Sequence, residues 1–300
     1  MFKFNFSEQE SSINQDTPRP PEAPNPTKSE QYVPEKDDND VIKDIFTNCE
    51  EIPLSCGIKY FSTGHVLDIL RSNEVSGDPI AGLSADEQHS DLQNGVYEGG
   101  LKVWECTFDL INHLTELKLD LKGKNVLDLG CGAGLLGILS LHVGALRCTF
   151  QDYNLEVLKY VTVPNLKLNG EELLDRSEFY SGDWESFFNQ LTQKFDLILT
   201  SETIYNIDCY EKLHSTFEKL LKPDGAMYPS PFVQTNRYSL ETFLNSYFNR
   251  YLAAKSYYFG VGGGIALFED FLSRKNTFKA QRSWSCSEGL KREILEITFR

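Results

Sequence analysis

Val126-Leu127-Asp128-Leu129-Gly130-Cys131-Gly132-Ala133-Gly134 is the stretch on which the fold turns. An apolar run of strand length, Asn125–Leu129, enters three closely spaced glycines. The apolar stretch LLGILSLHVG (residues 135–144) leaves them with the length of a helix. Glycine bends the chain sharply and lets a ligand approach a backbone that carries no Cβ. The following helix N-terminus adds a partial positive charge and free N–H groups, which suit a carboxylate. Residues 132–137 also satisfy GxGxxG, the spacing of a dinucleotide loop. Asp128, two positions before the first glycine, argues against that ligand: a carboxylate there suits an ammonium group and repels a pyrophosphate.

Outward from this turn, strands and helices alternate. Residues 147–151 read as a second strand, followed by a helix over 155–169. A third strand is predicted at 178–181 and a fourth, of fully buried character, at 195–200. A helix over 211–221 ends at Lys222-Pro223-Asp224-Gly225. Such alternation implies parallel βαβ units with right-handed crossovers. The C-terminal quarter differs. Ile265–Lys275 reads as a helix, and 277–285 and Arg292–Phe299 read as strands too close together for a crossover, so they pair antiparallel. The expectation is an α/β, doubly wound, mostly parallel seven-stranded sheet with a C-terminal antiparallel hairpin, not the six-stranded dinucleotide order. Upstream of the glycine turn, IPLSCGIKYFS (52–62) reads as one extended segment, HVLDIL (65–70) as either helix or strand, and SADEQHSDLQNG (84–95) as a polar loop. Val103, Cys106, Leu110, Leu114 and Leu117 then recur at helical spacing.

The net charge is -15, and residues 1–51 carry twelve acidic against five basic side chains, so nearly half of the excess lies in this first stretch. Its Ser, Pro, Glu, Asp and Asn cannot bury enough apolar surface to offset chain entropy. Residues 1–48 are therefore expected to be a disordered acidic tail, and 49–300 the folded domain. Such acidity repels nucleic acid and attracts basic partners, or serves solubility alone. Seven cysteines without CxxC spacing imply reduced thiols, and the five scattered histidines give no metal site. No apolar run has signal-peptide or membrane-span length, so the expected setting is intracellular.

Candidate binding residues collect at the predicted strand ends. Asp152 closes the second strand, where a carboxylate accepts both hydroxyls of a ribose; capping of the next helix is the alternative. Ser181-Gly182-Asp183-Trp184 closes the third. There Asp183 suits an exocyclic amine and Trp184 an apolar wall, unless Trp184 is simply core. Ser201-Glu202-Thr203-Ile204-Tyr205-Asn206 leaves the fourth strand at the sheet edge where ligands bind. Glu202, Tyr205 and Asn206 are the catalytic candidates. Glu202 would orient an acceptor imidazole, or else cap the next segment or bind cofactor indirectly.

Together, GVYEGGLKVWECTFDL (95–110), VLDLGCGAGLLG (126–137), QDYN (151–154), SGDW (181–184), LILTSETIYN (197–206) and YYFGVGGG (257–264) resemble the histidine protein methyltransferase family, over about residues 50–300. VLDLGCGAG is shared by many methyltransferases; YEGGLKVWEC with SETIYN and FGVGGG is far more specific. The resemblance implies S-adenosylmethionine as cofactor and transfer of its methyl group to the tele ring nitrogen of a histidine in a large-subunit ribosomal protein. By the same resemblance Val103, Trp104, Glu105, Cys106 and Thr107 line the cofactor, Trp104 and Glu105 as a lid. Gly130, Gln151, Asp152, Tyr153, Gly182, Asp183, Trp184 and Ser201 complete its pocket, to which the reading of the glycine bend adds Asp128 and Gly132. The position and glycines of residues 258–264 suggest a loop facing the substrate. A cytoplasmic and nuclear monomer is expected, acting on a basic protein without contacting nucleic acid or membrane. Two further readings stay open: a lysine methyltransferase of the same fold, and a non-catalytic chaperone of a ribosomal protein. A nicotinamide dehydrogenase is more remote.

One departure from the family pattern stands out. YPSPFVQTNRYSLETFLNSYFNR (228–250) intervenes where a fifth strand should run straight towards FGVGGG. Prolines there would break a central ladder. Joining Met227 to Tyr251 restores an uninterrupted strand, so the insert reads as an unspliced intron or gene-model error, with a family-specific loop as the alternative.

Overall fold

Val126, Leu127 and Leu129 are fully buried. Val126 belongs to one of two apolar clusters, and Leu127 and Leu129 to the other. Alternating side chains thus supply both faces of a sheet from one strand. Each such burial contributes about 1.5–3 kcal/mol.

The computed structural model describes residues 27–35, 39–73, 83, 93, 95–223 and 250–300. The first part of the chain forms β1 (Glu30–Tyr32), α1 (Asp40–Asn48), β2 (Glu51–Pro53), β3 (Lys59–Phe61), α2 (Thr63–Ser72) and α3 (Glu105–Leu117). The alternating core follows: β4 (Asn125–Leu129), α4 (Leu135–His142), β5 (Arg147–Asp152), α5 (Leu155–Val157), α6 (Val163–Asn169), β6 (Ser177–Ser181), α7 (Trp184–Gln190), β7 (Leu197–Ser201) and α8 (Tyr210–Leu220). The chain closes with β8 (Arg250–Lys255), α9 (Ile265–Lys275), β9 (Phe278–Cys286) and β10 (Arg292–Phe299). A π-helical stretch, Leu158–Thr162, joins α5 to α6.

The main sheet runs β1-β6-β5-β4-β7-β8-β10-β9. Strands β6, β5, β4, β7 and β8 are mutually parallel, and β10 and β9 complete the sheet antiparallel. Residues of α3, α4 and α6 bury into one apolar cluster, those of α7, α8 and α9 into the other. Chain order reverses across β4, so the carboxyl ends of β4, β5 and β7 open a crevice there.

The seven expected strands form as the alternation implies, and β1 adds an eighth. It pairs antiparallel with the outer edge of β6, Glu30 opposite Ser181 and Tyr32 opposite Phe179. This corrects the expected tail: residues 27–32 and α1 belong to the folded domain. An edge strand leaves backbone groups unpaired, and a short polar segment satisfies them without an apolar run of its own. Asn39 caps α1 by accepting the Ile42 N–H at 2.9 Å, and Ile42 and Ile45 are buried. Residues 1–26 of that tail lie outside the described residues.

Two local readings also change. Residues 52–62 are a hairpin, not one extended segment, because Gly57 at φ +91° turns the chain and the Leu54 N–H donates to the Ile58 carbonyl at 2.8 Å. The undecided segment 65–70 is helical within α2, burying Val66, Ile69 and Leu70. The predicted loop 84–95 falls almost wholly outside the described residues, as does the insert except for its last member. Arg250 opens β8, in register with Ile198 of β7 and Ile297 of β10. Among the described residues this central strand begins at Arg250, which is fully buried; residues 225–227, where the expected fifth strand starts, lie outside them.

Candidate active site

The bend after β4 is fastened on three sides. Cys131 N–H donates to the Gln151 carbonyl at 2.8 Å, and Gly134 N–H donates to the Cys131 carbonyl at 2.8 Å. The Thr162 hydroxyl, from the π-helical stretch, donates to the Gly132 carbonyl at 2.7 Å. Gly130 sits at φ +64°, and a Cβ on it would stand 2.9 Å from the Thr203 side chain. Both the backbone conformation and the close approach of the loop after β7 require glycine there.

Beside this bend lies a cavity of about 570 Å³, a size that holds a small-molecule cofactor. Gly130, Cys131 and Gly132 border it from the bend, Asp152 and Tyr153 from the tip of β5, and Asp183 and Trp184 from the start of α7. Ser201, Glu202, Thr203, Tyr205 and Asn206 follow β7 along another wall. The chain before α3 closes the mouth with Glu98, Gly100, Val103, Trp104 and Thr107. The lining carries five carboxylates (Glu98, Asp152, Asp183, Glu202, Asp208) against two lysines (Lys102, Lys212), a field that favours a cation.

Asp152 is the centre of this wall. Its Oδ2 accepts the Gly132 N–H at 2.9 Å and its Oδ1 the Asn154 N–H at 3.1 Å. Burial pushes its carboxyl up to about 6, although these two N–H groups pull the other way. Each oxygen keeps one further acceptor site, so the turn-capping and sugar-binding readings are compatible. Asp183 is committed more heavily: Oδ1 accepts the Glu185 N–H at 2.9 Å, capping α7, and Oδ2 pairs with Lys212 Nζ at 2.6 Å. Ser201 Oγ and Thr107 Oγ1 share a hydrogen bond of 2.8 Å, joining the β7 tip to α3. The Tyr153 hydroxyl donates to the Gly95 carbonyl at 2.8 Å.

Most of the expected cofactor residues meet here, and five do not line the cavity. Asp128 is buried behind the bend, where Oδ2 accepts the Gly137 N–H at 2.8 Å. It braces the first turn of α4 against β4 and faces no ligand ammonium. Burial pushes its carboxyl up to about 8. Cys106 is fully buried on the inner face of α3, and Glu105 points outward to Lys255 Nζ at 3.3 Å. The helical turn thus sends only Val103, Trp104 and Thr107 of that motif to the cavity. Trp104 does act as a cover: its indole N–H donates to the Gly99 carbonyl at 3.1 Å, and Lys255 Nζ lies 5.0 Å from its ring centre. Gln151 is a brace, Nε2 donating to the Gly182 carbonyl at 2.7 Å and Oε1 accepting the Trp184 N–H at 3.0 Å. Gly182 is needed behind the wall: a Cβ there would meet the Lys28 carbonyl oxygen at 2.5 Å.

Of the catalytic candidates, Glu202 adopts φ +58°, uncommon for a residue with a Cβ. Its Oε2 accepts the Tyr258 hydroxyl at 2.5 Å, and its Oε1 lies 3.7 Å from Lys255 Nζ. Burial, then the Glu202 charge, push the Tyr258 phenol well above its usual range. The Tyr205 hydroxyl donates to Glu98, and Asn206 Oδ1 accepts the Asp208 N–H at 2.9 Å. Glu98, Asp208, Cys209 and Lys212 line the cavity without having been singled out. Glu98 stood in the YEGG signature, but its partner Tyr205 lies 107 residues away and no spacing connects them. Burial raises the Glu98 carboxyl above its usual range, against the pull of the Gly95 N–H.

A sulfonium nucleoside fits this wall. Asp152 offers acceptors for sugar hydroxyls, Trp184 and Val103 an apolar surface, the glycine bend a close approach, and the carboxylate excess a field for the positive sulfur and amine. A family model described as lysine methyltransferase matches residues 85–247, more than half of the chain. Over 272 residues the chain is 39% identical to the histidine protein methyltransferase 1 homolog of Bos taurus, covering 81% of this chain and 66% of that one. The Mus musculus homolog is 37% identical over 300 residues, covering 91% and 75%. The Dictyostelium discoideum homolog is 43% identical over 213 residues, covering 70% and 60%. The chain thus spans from three fifths to three quarters of the length of these relatives, and it belongs to the histidine protein methyltransferase family, whose methyl donor is S-adenosylmethionine.

Proposed function

We propose that this chain moves a methyl group from S-adenosylmethionine to the tele ring nitrogen of a histidine in a basic protein of the large ribosomal subunit. One observation carries the acceptor side. Glu202 stands on the cavity wall with its side chain buried, and its Oε1 makes no hydrogen bond among the described residues, its ion pair with Lys255 Nζ being 3.7 Å long. A carboxylate oxygen held by so long a contact keeps acceptor capacity, and the second N–H of an acceptor imidazole would use it. The strained backbone at Glu202 is in keeping with a functional position.

A neutral imidazole, with a pKa near 6.5, is already a nucleophile. When bound, S-adenosylmethionine supplies a methyl carbon made electrophilic by a positive sulfur. Glu202 holds the ring by its N–H so that the opposite nitrogen faces that carbon. As the nitrogen–carbon bond forms and the carbon–sulfur bond breaks, positive charge moves onto the ring. The Glu202 carboxylate stabilises that charge and accepts the ring proton before passing it to water. Tyr258 and Lys255 keep Glu202 in place. Tyr205, tied to Glu98, and Asn206 shape the acceptor end, while Trp104 excludes water. Alignment is most of what such a displacement needs.

The names of the relatives support a protein histidine as acceptor, and the charge of -15 suits a basic ribosomal partner met in the cytoplasm or nucleus. The description of the family model favours lysine instead, an acceptor that must first lose a proton from an ammonium of pKa about 10.4. The test is to incubate the purified chain with labelled S-adenosylmethionine and ribosomal extract, hydrolyse the product and identify the labelled amino acid. The tele isomer of methylhistidine is expected. Labelled methyllysine, or tight cofactor binding with no label at all, overturns the reading.

A further inference from the structure

Large apolar side chains gather beside the cavity on one turn. Between β8 and α9, Tyr257, Phe259 and Val261 are 49%, 77% and 46% exposed within five residues. The rings of Tyr257 and Phe259 meet edge to face, with centres 5.0 Å apart. Exposed Ile207 lies two residues beyond Tyr205 on the neighbouring wall. Aromatic surface presented in this way to water commonly marks a site of association.

The turn is held firmly. The Tyr258 N–H donates to the Gly263 carbonyl at 3.0 Å, and the Gly262 N–H returns to the Tyr258 carbonyl at 3.0 Å. The Gly263 N–H donates to the Tyr205 carbonyl at 2.9 Å, tying the turn to the loop after β7. Tyr258 itself points inward to Glu202. The backbone that carries the two outward rings is therefore tied to the acceptor end of the cavity, so binding need not order the turn itself.

The charges nearby decide what can sit there. Glu98 and Asp208 line the mouth, and the Glu105 side chain is 64% exposed beside it. Lys212 is paired with Asp183, Lys255 with Glu105 and Glu202, and Lys102 Nζ lies 4.8 Å from the Trp104 ring centre, so the carboxylates outnumber the cations here. Anionic lipid, nucleic acid and a second copy of a chain of charge -15 are all repelled. A cationic polypeptide is attracted.

Resting on the reading given under Proposed function, we propose that Tyr257 and Phe259 are an apolar clamp that grips a basic segment of the acceptor protein. An apolar residue of that segment lies between or against the two rings, next to the target side chain, with Lys and Arg further out facing the acidic rim. The clamp acts on substrate affinity and leaves the cofactor pocket alone.

The test uses the full chain, wild type and the Tyr257→Ser/Phe259→Ser double variant. Phe259 is 77% exposed and its ring packs on Tyr257, which the same variant replaces, so the double substitution disturbs little beyond the pair itself. Salt-extracted large-subunit ribosomal proteins, from cells lacking this enzyme, serve as acceptor. Methylation kinetics and direct binding to the immobilised chain are both measured. The clamp predicts a KM for the acceptor at least tenfold higher in the variant, a matching loss of binding, and an unchanged Kd for S-adenosylmethionine. It also predicts that wild-type binding weakens as salt is raised. An equal KM in the two proteins, with wild type methylating histidine, removes the clamp and leaves the proposed function. Wild-type binding that depends on the two rings, without methyl transfer, keeps the clamp and removes the proposed function. Wild type that neither binds nor methylates these proteins overturns the clamp.

Discussion

The backbone N–H of Asp183 donates to the carbonyl of Thr27 at 3.0 Å, tying the N-terminal arm to a corner of the cofactor cavity. Around this bond the Ser29 N–H donates to Ser186 Oγ at 2.9 Å, and the Thr27 hydroxyl donates to the Tyr153 hydroxyl at 3.1 Å. Gly182, at φ +95°, lies against Lys28. Gly182→Ala should push the arm off the β6 edge, since its Cβ would collide with backbone in a conformation that also disfavours alanine. With strain of about 1–3 kcal/mol, the Kd for S-adenosylmethionine should rise roughly tenfold or more, measured by calorimetry. An unchanged Kd would show that the arm does not position Asp183 and Tyr153.

Asp152→Ala should weaken cofactor binding about 100-fold, the loss of two hydrogen bonds to a charged acceptor at about 1.5 kcal/mol each. Asp152→Asn should do less, because its amide oxygen still accepts one bond. The wild-type carboxyl, pushed up to about 6, should show a further effect of pH: affinity should fall as pH drops through 6, where the carboxylate takes up a proton. Asp152→Asn should flatten that dependence, and a pH profile it leaves unaltered would locate the titrating group elsewhere.

Asp128 has a folded-state pKa of about 8, raised from 3.8 mainly by burial. A carboxyl raised in the folded state favours folding while it is protonated, and that contribution is lost as pH rises towards 8. Asp128→Asn keeps an oxygen for the Gly137 N–H and removes the charge. Its melting temperature should therefore change less between pH 6 and 9 than that of wild type. Parallel melting curves for the two proteins would exclude a titrating Asp128.

Glu202→Gln should lower kcat by about 10²-fold, the lower end of what a positioned proton acceptor contributes, with cofactor Kd little changed. Tyr258→Phe should act in the same direction and less strongly, since it releases Glu202 Oε2 and the Lys255 N–H but leaves the carboxylate itself. Single-turnover rates at saturating cofactor check this. An equal rate in Glu202→Gln would reassign the glutamate to a structural role.

Arg250 is fully buried, with its guanidinium carbon 4.1 Å from the ring centre of Phe278 and 4.6 Å from that of Phe299. Its Nη1 donates to the Ile297 carbonyl at 3.2 Å. Excising residues 228–250 would join Met227 to Tyr251 and put a thioether where the guanidinium stands. Replacing buried ionic groups by apolar side chains of similar volume is often neutral or stabilising by up to about 4 kcal/mol. The shortened chain should thus unfold at higher denaturant, and Arg250→Met in the full chain should move the same way. A lower midpoint for both would mark the arginine as an evolved part of β8.

The succession of strands and helices along the chain, the bend after β4 and the C-terminal hairpin were legible because each rests on local pattern: alternation in β4, glycine spacing, and a link too short for a crossover. The sheet edge was not legible. Residues 30–32 are too short and too polar a run to carry a strand signal; they pair with the free edge of β6, helped by the anchoring bonds of Thr27 and Ser29 and the contact of Tyr32 with Phe179.

By itself the sequence determined which residues stand at strand tips, and so it placed Asp152, Trp184, Ser201, Glu202 and Tyr205 on one cavity. Only the tertiary structure decided that Asp128, Gln151 and Gly182 hold the wall from behind, and that Glu98 meets Tyr205. It also tied residues 27–29 to Tyr153, Gly182 and Asp183 at one corner of the cavity. The physical reason is range. A strand end is set by a few neighbouring residues, whereas the direction in which a side chain spends its hydrogen bonds depends on partners that only folding brings close, at separations as different as 9 residues for Asp128 with Gly137 and 107 for Glu98 with Tyr205.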